Sequence, residues 1–137
     1  MTSKTFIDTN LLVCALDKAD PEKQVKAREL LRKIESDCLG VISTQVLQEY
    51  YVVATRKLKV KPELMKKIIS SLSKYEIVVI NQPIIEKAID ISMSNKISFW
   101  DALIVASAVA ARCRIIWTED LNQGQSISKI KIENPFN

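Results

Sequence analysis

Short apolar runs recur along the chain, and each ends in polar residues. Runs of this kind, rich in β-branched side chains, are typical of strands buried in a sheet. The stretch Ile77–Ile80 is a continuous run of this type and is predicted to be buried. The predicted strands are Lys4–Asp8, Gly40–Ile42, Ile77–Ile80 and Arg114–Trp117, with Ile130–Ile132 as the candidate for a last strand.

The segments between these runs repeat apolar residues every three or four positions, which predicts amphipathic helices. Capping residues stand at their starts, as at Asp20-Pro21. The predicted helices cover Leu11–Leu16 after a Thr9 or Asn10 cap, Pro21–Ser36, Ser43 or Thr44 to Lys57, Pro62–Ser73, Pro83–Ser94 and Trp100–Arg112 after a Ser98 cap. Alternating strands and helices predict an α/β fold, with a parallel sheet covered by helices on both faces.

The length and composition of the chain predict a single domain over residues 1–137. The chain has 137 residues with only two glycines and four prolines, which argues against long linkers. No signal-peptide pattern precedes the first strand, and the longest apolar stretch, Ala102–Ala111, is too short to cross a bilayer. We therefore expect a cytoplasmic protein without a membrane segment.

The absence of histidine narrows the possible chemistry. With no histidine and with three scattered cysteines, the chain cannot form a histidine-based triad or a Cys/His zinc site. Acid–base or metal chemistry must then rely on carboxylates, which favour hard ions such as Mg²⁺ or Mn²⁺.

Positive charge is concentrated in one segment. The chain carries a net charge of +4, and residues 55–67 contain a single acid, Glu63. The basic residues there are Arg56, Lys57, Lys59, Lys61, Lys66 and Lys67. Such a cluster is compatible with a polyanionic partner, although a solvated helix–loop–helix surface explains it equally well.

Two acids follow predicted strands at their carboxyl ends, where ligands bind in open parallel sheets. Asp8 ends the first strand, and Asp120 follows Arg114–Trp117, with the hydroxyl of Thr118 in between. Glu119 is the alternative to Asp120. We favour Asp120 because alternation along extended backbone points it to the same side as Thr118.

Two further acids lie on helices. Asp101 is in the first turn of a nearly all-apolar helix, where it is either a simple helix-end charge or part of a central site. Glu49 stands within an apolar arc of its helix, where a carboxylate usually has a partner. Carboxylates that converge repel one another unless a cation neutralises them, and a divalent ion there would also activate water for hydrolysis.

In their order and spacing these residues resemble the PIN domain. The resemblance rests on Phe6-Ile7-Asp8-Thr9-Asn10, on Glu49 within a helix, on Phe99-Trp100-Asp101-Ala102-Leu103-Ile104 and on Trp117-Thr118-Glu119-Asp120-Leu121. The closing Ile132-Glu133-Asn134-Pro135-Phe136 is similar to the ending of many VapC-type toxins. The likeness runs from about Lys4 to the end of the chain.

The resemblance implies a three-layer α/β/α fold and an endoribonuclease that depends on Mg²⁺ or Mn²⁺. Asp8, Glu49, Asp101 and Asp120 match the family's catalytic, metal-binding acids, and Asn10 and Thr118 match its supporting polar positions. It further implies structured RNA such as tRNA as substrate, a cognate antitoxin and a homodimer. One departure is that Asn122 and Gln123 stand where many relatives carry a histidine or an acid.

Two alternatives to the nuclease remain. A non-catalytic PIN-like module that binds RNA or serves as a scaffold is one, although such modules usually lack one or more of the acids. A phosphotransfer domain with Asp8 as nucleophile is the other, but the second aspartate that such phosphatases need is Asn10 here. Arg56, Lys57, Lys59 and Lys61, just beyond the helix of Glu49, are the candidates for holding RNA phosphates.

Overall fold

The structure, a computed structural model, describes residues 3–121 and 124–137. Six helices and six strands occur within these ranges. The helices are α1 (Thr9–Leu16), α2 (Pro21–Ser36), α3 (Thr44–Arg56), α4 (Pro62–Ser70), α5 (Gln82–Asn95) and α6 (Phe99–Ala110). The strands are β1 (Thr5–Ile7), β2 (Gly40–Ser43), β3 (Glu76–Val78), β4 (Ile115–Trp117), β5 (Ser126–Ile127) and β6 (Ile130–Glu133).

The strands form one sheet in the order β3-β2-β1-β4-β6-β5. The predicted α/β fold with a parallel sheet is confirmed, since the sheet is mostly parallel. All neighbouring pairs are parallel except β5 with β6. The chain builds outward from β1 through β2 to β3 and then crosses back to place β4 on the other side of β1. The order of the strands therefore reverses between β1 and β4, which is where open α/β sheets open a crevice for ligands.

One strand prediction was wrong in its burial. β3 is an edge strand, and Ile77 and Val79 are 40% and 68% exposed rather than buried. The run of β-branched residues indicated a strand correctly, but only the crossing of the chain to β4 leaves β3 with a single neighbour. The short antiparallel strand β5 was not predicted, and α4 ends at Ser70 instead of Ser73.

The core forms where helices cover the sheet. Helix α6 is buried along almost its whole length, from Ala102 to Ala108, as its nearly all-apolar sequence predicted. It packs against α5, while α1 packs against α2 and α3. At the start of β2, a Cβ on Gly40 would stand 2.7 Å from the ring of Tyr75, so the close approach of that ring requires glycine.

None of the helices in the described part of the chain combines the length and hydrophobicity needed to cross a membrane.

Candidate active site

Asp8 stands directly after β1 and directly before α1. Its carboxylate accepts a hydrogen bond from the Thr9 N–H at 2.7 Å, so Asp8 itself is the N-cap, not Thr9 or Asn10 as predicted. The Asp8 N–H continues the β1–β4 ladder by donating to the carbonyl of Trp117 at 3.0 Å. The side chain is 7% exposed. Strand pairing and helix capping together hold this carboxylate at the carboxyl edge of the sheet.

Thr118 connects Asp8 with Asp120. Its buried hydroxyl donates to Oδ2 of Asp8 at 2.7 Å, and its oxygen accepts from the Asp120 N–H at 3.1 Å. The carboxylate of Asp120 in turn accepts from Nδ2 of Asn10 at 3.2 Å. The ends of β1 and β4 are therefore fixed relative to each other by side chains as well as by the sheet.

Glu49 is tied to the same edge through Thr9. The Thr9 hydroxyl donates to Oε1 of Glu49 at 2.7 Å, which joins α1 to α3. This hydrogen bond is the partner that a carboxylate in an apolar arc was expected to have. In the sequence Thr9 was considered as a helix cap and as part of the motif Phe6-Ile7-Asp8-Thr9-Asn10, but no role in the site was predicted for it.

Asp101 lies in the first turn of α6. Its N–H donates to the Ser98 hydroxyl at 3.1 Å, which confirms Ser98 as the cap of this helix. The side chain is half-buried and faces a cavity of about 450 Å³. The positive end of the α6 dipole favours a carboxylate at this position.

All four predicted acids, Asp8, Glu49, Asp101 and Asp120, line this one cavity. A stripe of α3 at four-residue spacing forms one wall and consists of Gln45, Glu49, Val53 and Lys57. The remaining lining residues are Thr9, Asn10, Val13, Cys14, Asp17, Asp20, Lys23, Trp100, Ile104 and Glu119. The cavity opens at the carboxyl ends of β1 and β4, at the switch point of the sheet.

Negative charge is costly at this site. The pKa of the Asp8 carboxyl rises to about 6, chiefly because burial removes it from water. Hydrogen bonds from Thr118 and Thr9 oppose the rise, and the negative charges of Asp120 and Glu49 add to it. A bound cation would reverse this effect by stabilising the ionised form.

The donor set fits a hydrated divalent cation. No three acidic or thiol side chains among the described residues stand close enough to hold a metal ion by themselves. However, Oδ1 of Asn10 and Oε1 of Gln45 are buried acceptors without a hydrogen-bond partner. Waters on a cation would supply the missing donors, and Mg²⁺ characteristically keeps several waters while binding one or two carboxylates.

Glu119 and Asp120 have different surroundings. Glu119 pairs with the ammonium group of Lys23 and accepts a weak hydrogen bond from Cys14. Lys23 also stands 5.0 Å from the ring centre of Phe136. Glu119 is therefore already neutralised by a cation of the chain itself, whereas the Asp120 carboxylate, among the described residues, is contacted by the neutral amide of Asn10 and by no cation.

Several cavity residues were not singled out from the sequence, above all Gln45 and Lys23. Gln45 could have been found because it lies one helical turn before Glu49. Lys23 gives no local signal, since its partner Glu119 lies 96 positions away in the sequence. Asp20 caps α2 as predicted and accepts from the Lys23 N–H, and Asp17 follows the end of α1 and accepts from the Ala19 N–H. Both residues also line the cavity.

Of the basic residues predicted to bind RNA, Lys57 lines the cavity and Arg56, Lys59 and Lys61 do not. Lys57 follows Glu49 by two helical turns and so shares its face of α3. Lys61 instead precedes the first turn of α4. The departure noted at Asn122 and Gln123 lies outside the described residues.

Strands, helices and acids in this arrangement are found in a known protein family. The PIN domain profile matches residues 5–125, and the chain belongs to the PIN domain family. The prediction of a PIN fold is thereby confirmed. No curated protein sequence is significantly similar to the chain.

Solved structures share the fold. A toxin–antitoxin complex from Klebsiella pneumoniae has a TM-score of 0.70 and 21% identity, over 96% of this chain and 98% of its own. Mycobacterium tuberculosis VapC20, titled a sarcin-ricin loop cleaving toxin, has a TM-score of 0.69 and 15% identity, over 85% and 90%. VapBC2 from Rickettsia felis, bound to a DNA fragment from its promoter, has a TM-score of 0.68 and 21% identity, over 94% and 96%.

Proposed function

We propose that this PIN domain is an endoribonuclease that hydrolyses RNA phosphodiesters with the help of Mg²⁺ or Mn²⁺. The observation that carries the proposal is the meeting of four carboxylates, Asp8, Glu49, Asp101 and Asp120, around one open cavity at the switch point of the sheet. With no histidine in the chain, these carboxylates are the groups suited to hydrolytic chemistry. When bound, the divalent ion would activate water and stabilise charge that develops on the phosphoryl group.

The chain's own residues would position the reactants. Asp8 is the central ligand candidate, since Thr118 and the Thr9 N–H hold its two oxygens in a fixed orientation. Glu49 and Asp120 are oriented in the same way by Thr9 and Asn10. The unpartnered oxygens of Asn10 and Gln45 would accept hydrogen bonds from water held in the cavity. The nucleophilic water would be oriented among these acceptors.

The test is cleavage of a labelled RNA by purified protein with Mn²⁺, comparing the wild type with Asp8→Asn. We expect the variant to lose activity by at least about 100-fold, because several kcal/mol of charge stabilisation would be lost with the metal. Asp90→Asn, on the exposed face of α5, is the matched control and should retain full activity. Equal activity of the wild type and Asp8→Asn would refute the nuclease.

A non-catalytic module that binds RNA or acts as a scaffold is the second candidate. The four acids that line one cavity argue against it, because such modules usually lack one or more of them, and no cation among the described residues offsets the raised pKa of Asp8. Calorimetric titration with Mn²⁺ separates the two. Binding that is abolished in Asp8→Asn supports the nuclease, and the absence of Mn²⁺ binding by the wild type supports the module.

We further propose that the protein is the toxin of a type II toxin–antitoxin pair, cytoplasmic and homodimeric, with a structured RNA such as tRNA as its substrate. The solved structures that share its fold include toxin–antitoxin complexes from two bacteria and a toxin titled as cleaving the sarcin-ricin loop. Induced expression in a bacterial host should arrest growth in the wild type and leave it normal in Asp8→Asn. Light scattering of the purified chain reports the mass of the assembly.

A further inference from the structure

Trp100 is an exposed aromatic ring at the wall of the candidate active-site cavity. The residue is 63% exposed, although an indole is among the groups that gain most from burial. Among the described residues that line the cavity it is the only aromatic one. The other tryptophan, Trp117, lies within β4 and packs against the core.

The local structure holds Trp100 in this position. Its neighbour Phe99 packs against the core, and the two rings meet edge to face, with centroids 5.3 Å apart and planes at 72°. Ser98 caps the helix directly before them. Nε2 of the buried Gln45 also donates to the carbonyl of Trp100 at 3.3 Å, which ties this turn of α6 to α3. The indole therefore projects from a rigid turn, one residue before Asp101.

The charges around the ring indicate what it binds. Lys57 lines the same cavity, and within the part of the chain that the structure describes it forms no salt bridge. Lys23, the other lysine of the cavity, is already paired with Glu119. An exposed aromatic face, a free ammonium group and a cluster of carboxylates suited to a divalent cation are together complementary to a nucleotide, with its flat base and its phosphates.

We propose that Trp100 stacks on an unpaired base of the RNA next to the phosphate held at the carboxylates, and that Lys57 contacts a neighbouring phosphate. This inference rests on the proposed nuclease function and deepens it by requiring a single-stranded segment at the cavity. A base within a duplex has both faces covered by its neighbours, so it cannot stack on the indole. Stacking on tryptophan tolerates any base, so the contact selects for an unpaired state rather than for a sequence.

The experiment compares two fluorescein-labelled decamers of equal charge, an oligoadenylate and an abasic ribose-phosphate strand. Fluorescence anisotropy with Ca²⁺, which also takes carboxylate oxygens as ligands, measures binding to the full chain, and a gel run afterwards verifies that neither strand is cleaved. We expect the wild type to prefer the oligoadenylate by about 5- to 150-fold, the range for one stacked base. Trp100→Ala should bind both strands equally, and Trp100→Phe should keep part of the preference.

A matched control comes from Tyr51, an aromatic residue that is 38% exposed on α3 but does not line the cavity. Tyr51→Ala should keep the wild-type preference. Oligoadenylate should also quench the tryptophan fluorescence of the wild type but not that of Trp100→Phe, in which Trp117 alone emits. Because Trp100 is largely exposed, its replacement should leave the melting temperature unchanged.

An unchanged preference in Trp100→Ala would overturn the proposal. This failure is distinct from failure of the nuclease proposal, which is measured by cleavage and by its loss in Asp8→Asn. If the wild type cleaves RNA and Trp100→Ala keeps both the preference for oligoadenylate and the cleavage rate, the nuclease proposal stands and the stacking proposal is refuted. If Trp100→Ala loses the preference for oligoadenylate but the wild type does not cleave RNA, the stacking proposal stands and the nuclease proposal is refuted.

Discussion

The Thr118 hydroxyl donates to Oδ2 of Asp8 at 2.7 Å, and this hydrogen bond links the ends of two neighbouring parallel strands. Both residues are buried. Because the oxygen of Thr118 also accepts from the N–H of Asp120 at 3.1 Å, one hydroxyl orients two of the four acids. Thr118 is thus the structural centre of the acidic cluster, although it carries no charge.

The first prediction concerns this hydroxyl. Thr118→Val keeps the shape of the side chain but removes the hydrogen bond, which should lower the free energy of unfolding by about 1–3 kcal/mol. It should also reduce RNA cleavage at least about tenfold, because Asp8 and Asp120 lose their orientation. Thr118→Ser retains the hydroxyl and should keep most of the activity. Equal cleavage rates for Thr118→Val and Thr118→Ser would contradict the positioning role.

The second prediction concerns the titration of Asp8 in metal-free protein. Its pKa is raised from 3.8 to about 6, so the folded state binds a proton more tightly than the unfolded state does. The stability that comes from this proton is complete below about pH 4 and is lost as the pH rises through about 6. The shift corresponds to about 3 kcal/mol, given that the carboxyl is almost fully buried.

Asp8→Asn isolates this contribution because an amide does not titrate. In EDTA at pH 7 the variant should be more stable than the wild type by up to about 3 kcal/mol, and the difference should shrink towards pH 4. Denaturant unfolding across this range measures the effect, with Asp90→Asn as the exposed control. Adding Mn²⁺ should stabilise the wild type and Asp90→Asn but not Asp8→Asn. A stability difference that does not vary with pH would show that Asp8 is not the titrating group.

The third prediction separates the adjacent acids Glu119 and Asp120. Asp120→Asn should reduce cleavage by at least about 100-fold, since a carboxylate at the cavity would be lost. Glu119→Gln should reduce it only a few fold, because Glu119 is neutralised by Lys23 rather than available to a metal. Steady-state rates on one RNA substrate decide between them. A larger loss of cleavage in Glu119→Gln than in Asp120→Asn would make Glu119, and not Asp120, the candidate metal ligand.

The fourth prediction concerns salt dependence. Because Lys57 is proposed to contact a phosphate, Lys57→Gln should make the plot of log RNA-binding constant against log salt concentration shallower by about 0.7–0.9. Lys87→Gln, at an exposed position of α5 outside the cavity and outside the basic segment, removes the same charge as a control and should leave the slope unchanged. The same measurement on Arg56, Lys59 and Lys61 shows whether the rest of the predicted basic segment contributes.

Much of the fold was predictable because its signals are local. Helices α2 and α4 begin at their prolines as predicted, and Ser98 caps α6 as predicted. Of the two caps considered for α3, Ser43 is the one that the structure shows. Whether a strand lies at the edge or in the centre of its sheet is not decided by its local sequence. Nothing in the run Ile77–Ile80 distinguishes a strand with two neighbours from the edge strand β3, since that depends on where the chain goes afterwards.

The sequence by itself determined which acids are candidates for the site. It did so through the lack of histidine, through the ends of β1 and β4, and through the order of Asp8, Glu49, Asp101 and Asp120. Only the tertiary structure decided how they are held. Thr9 reaches Glu49 across 40 positions, and Lys23 reaches Glu119 across 96, separations at which no sequence periodicity operates. Such contacts exist because the parallel strands bring their carboxyl ends to one edge, and this geometry arises only when the sheet has formed.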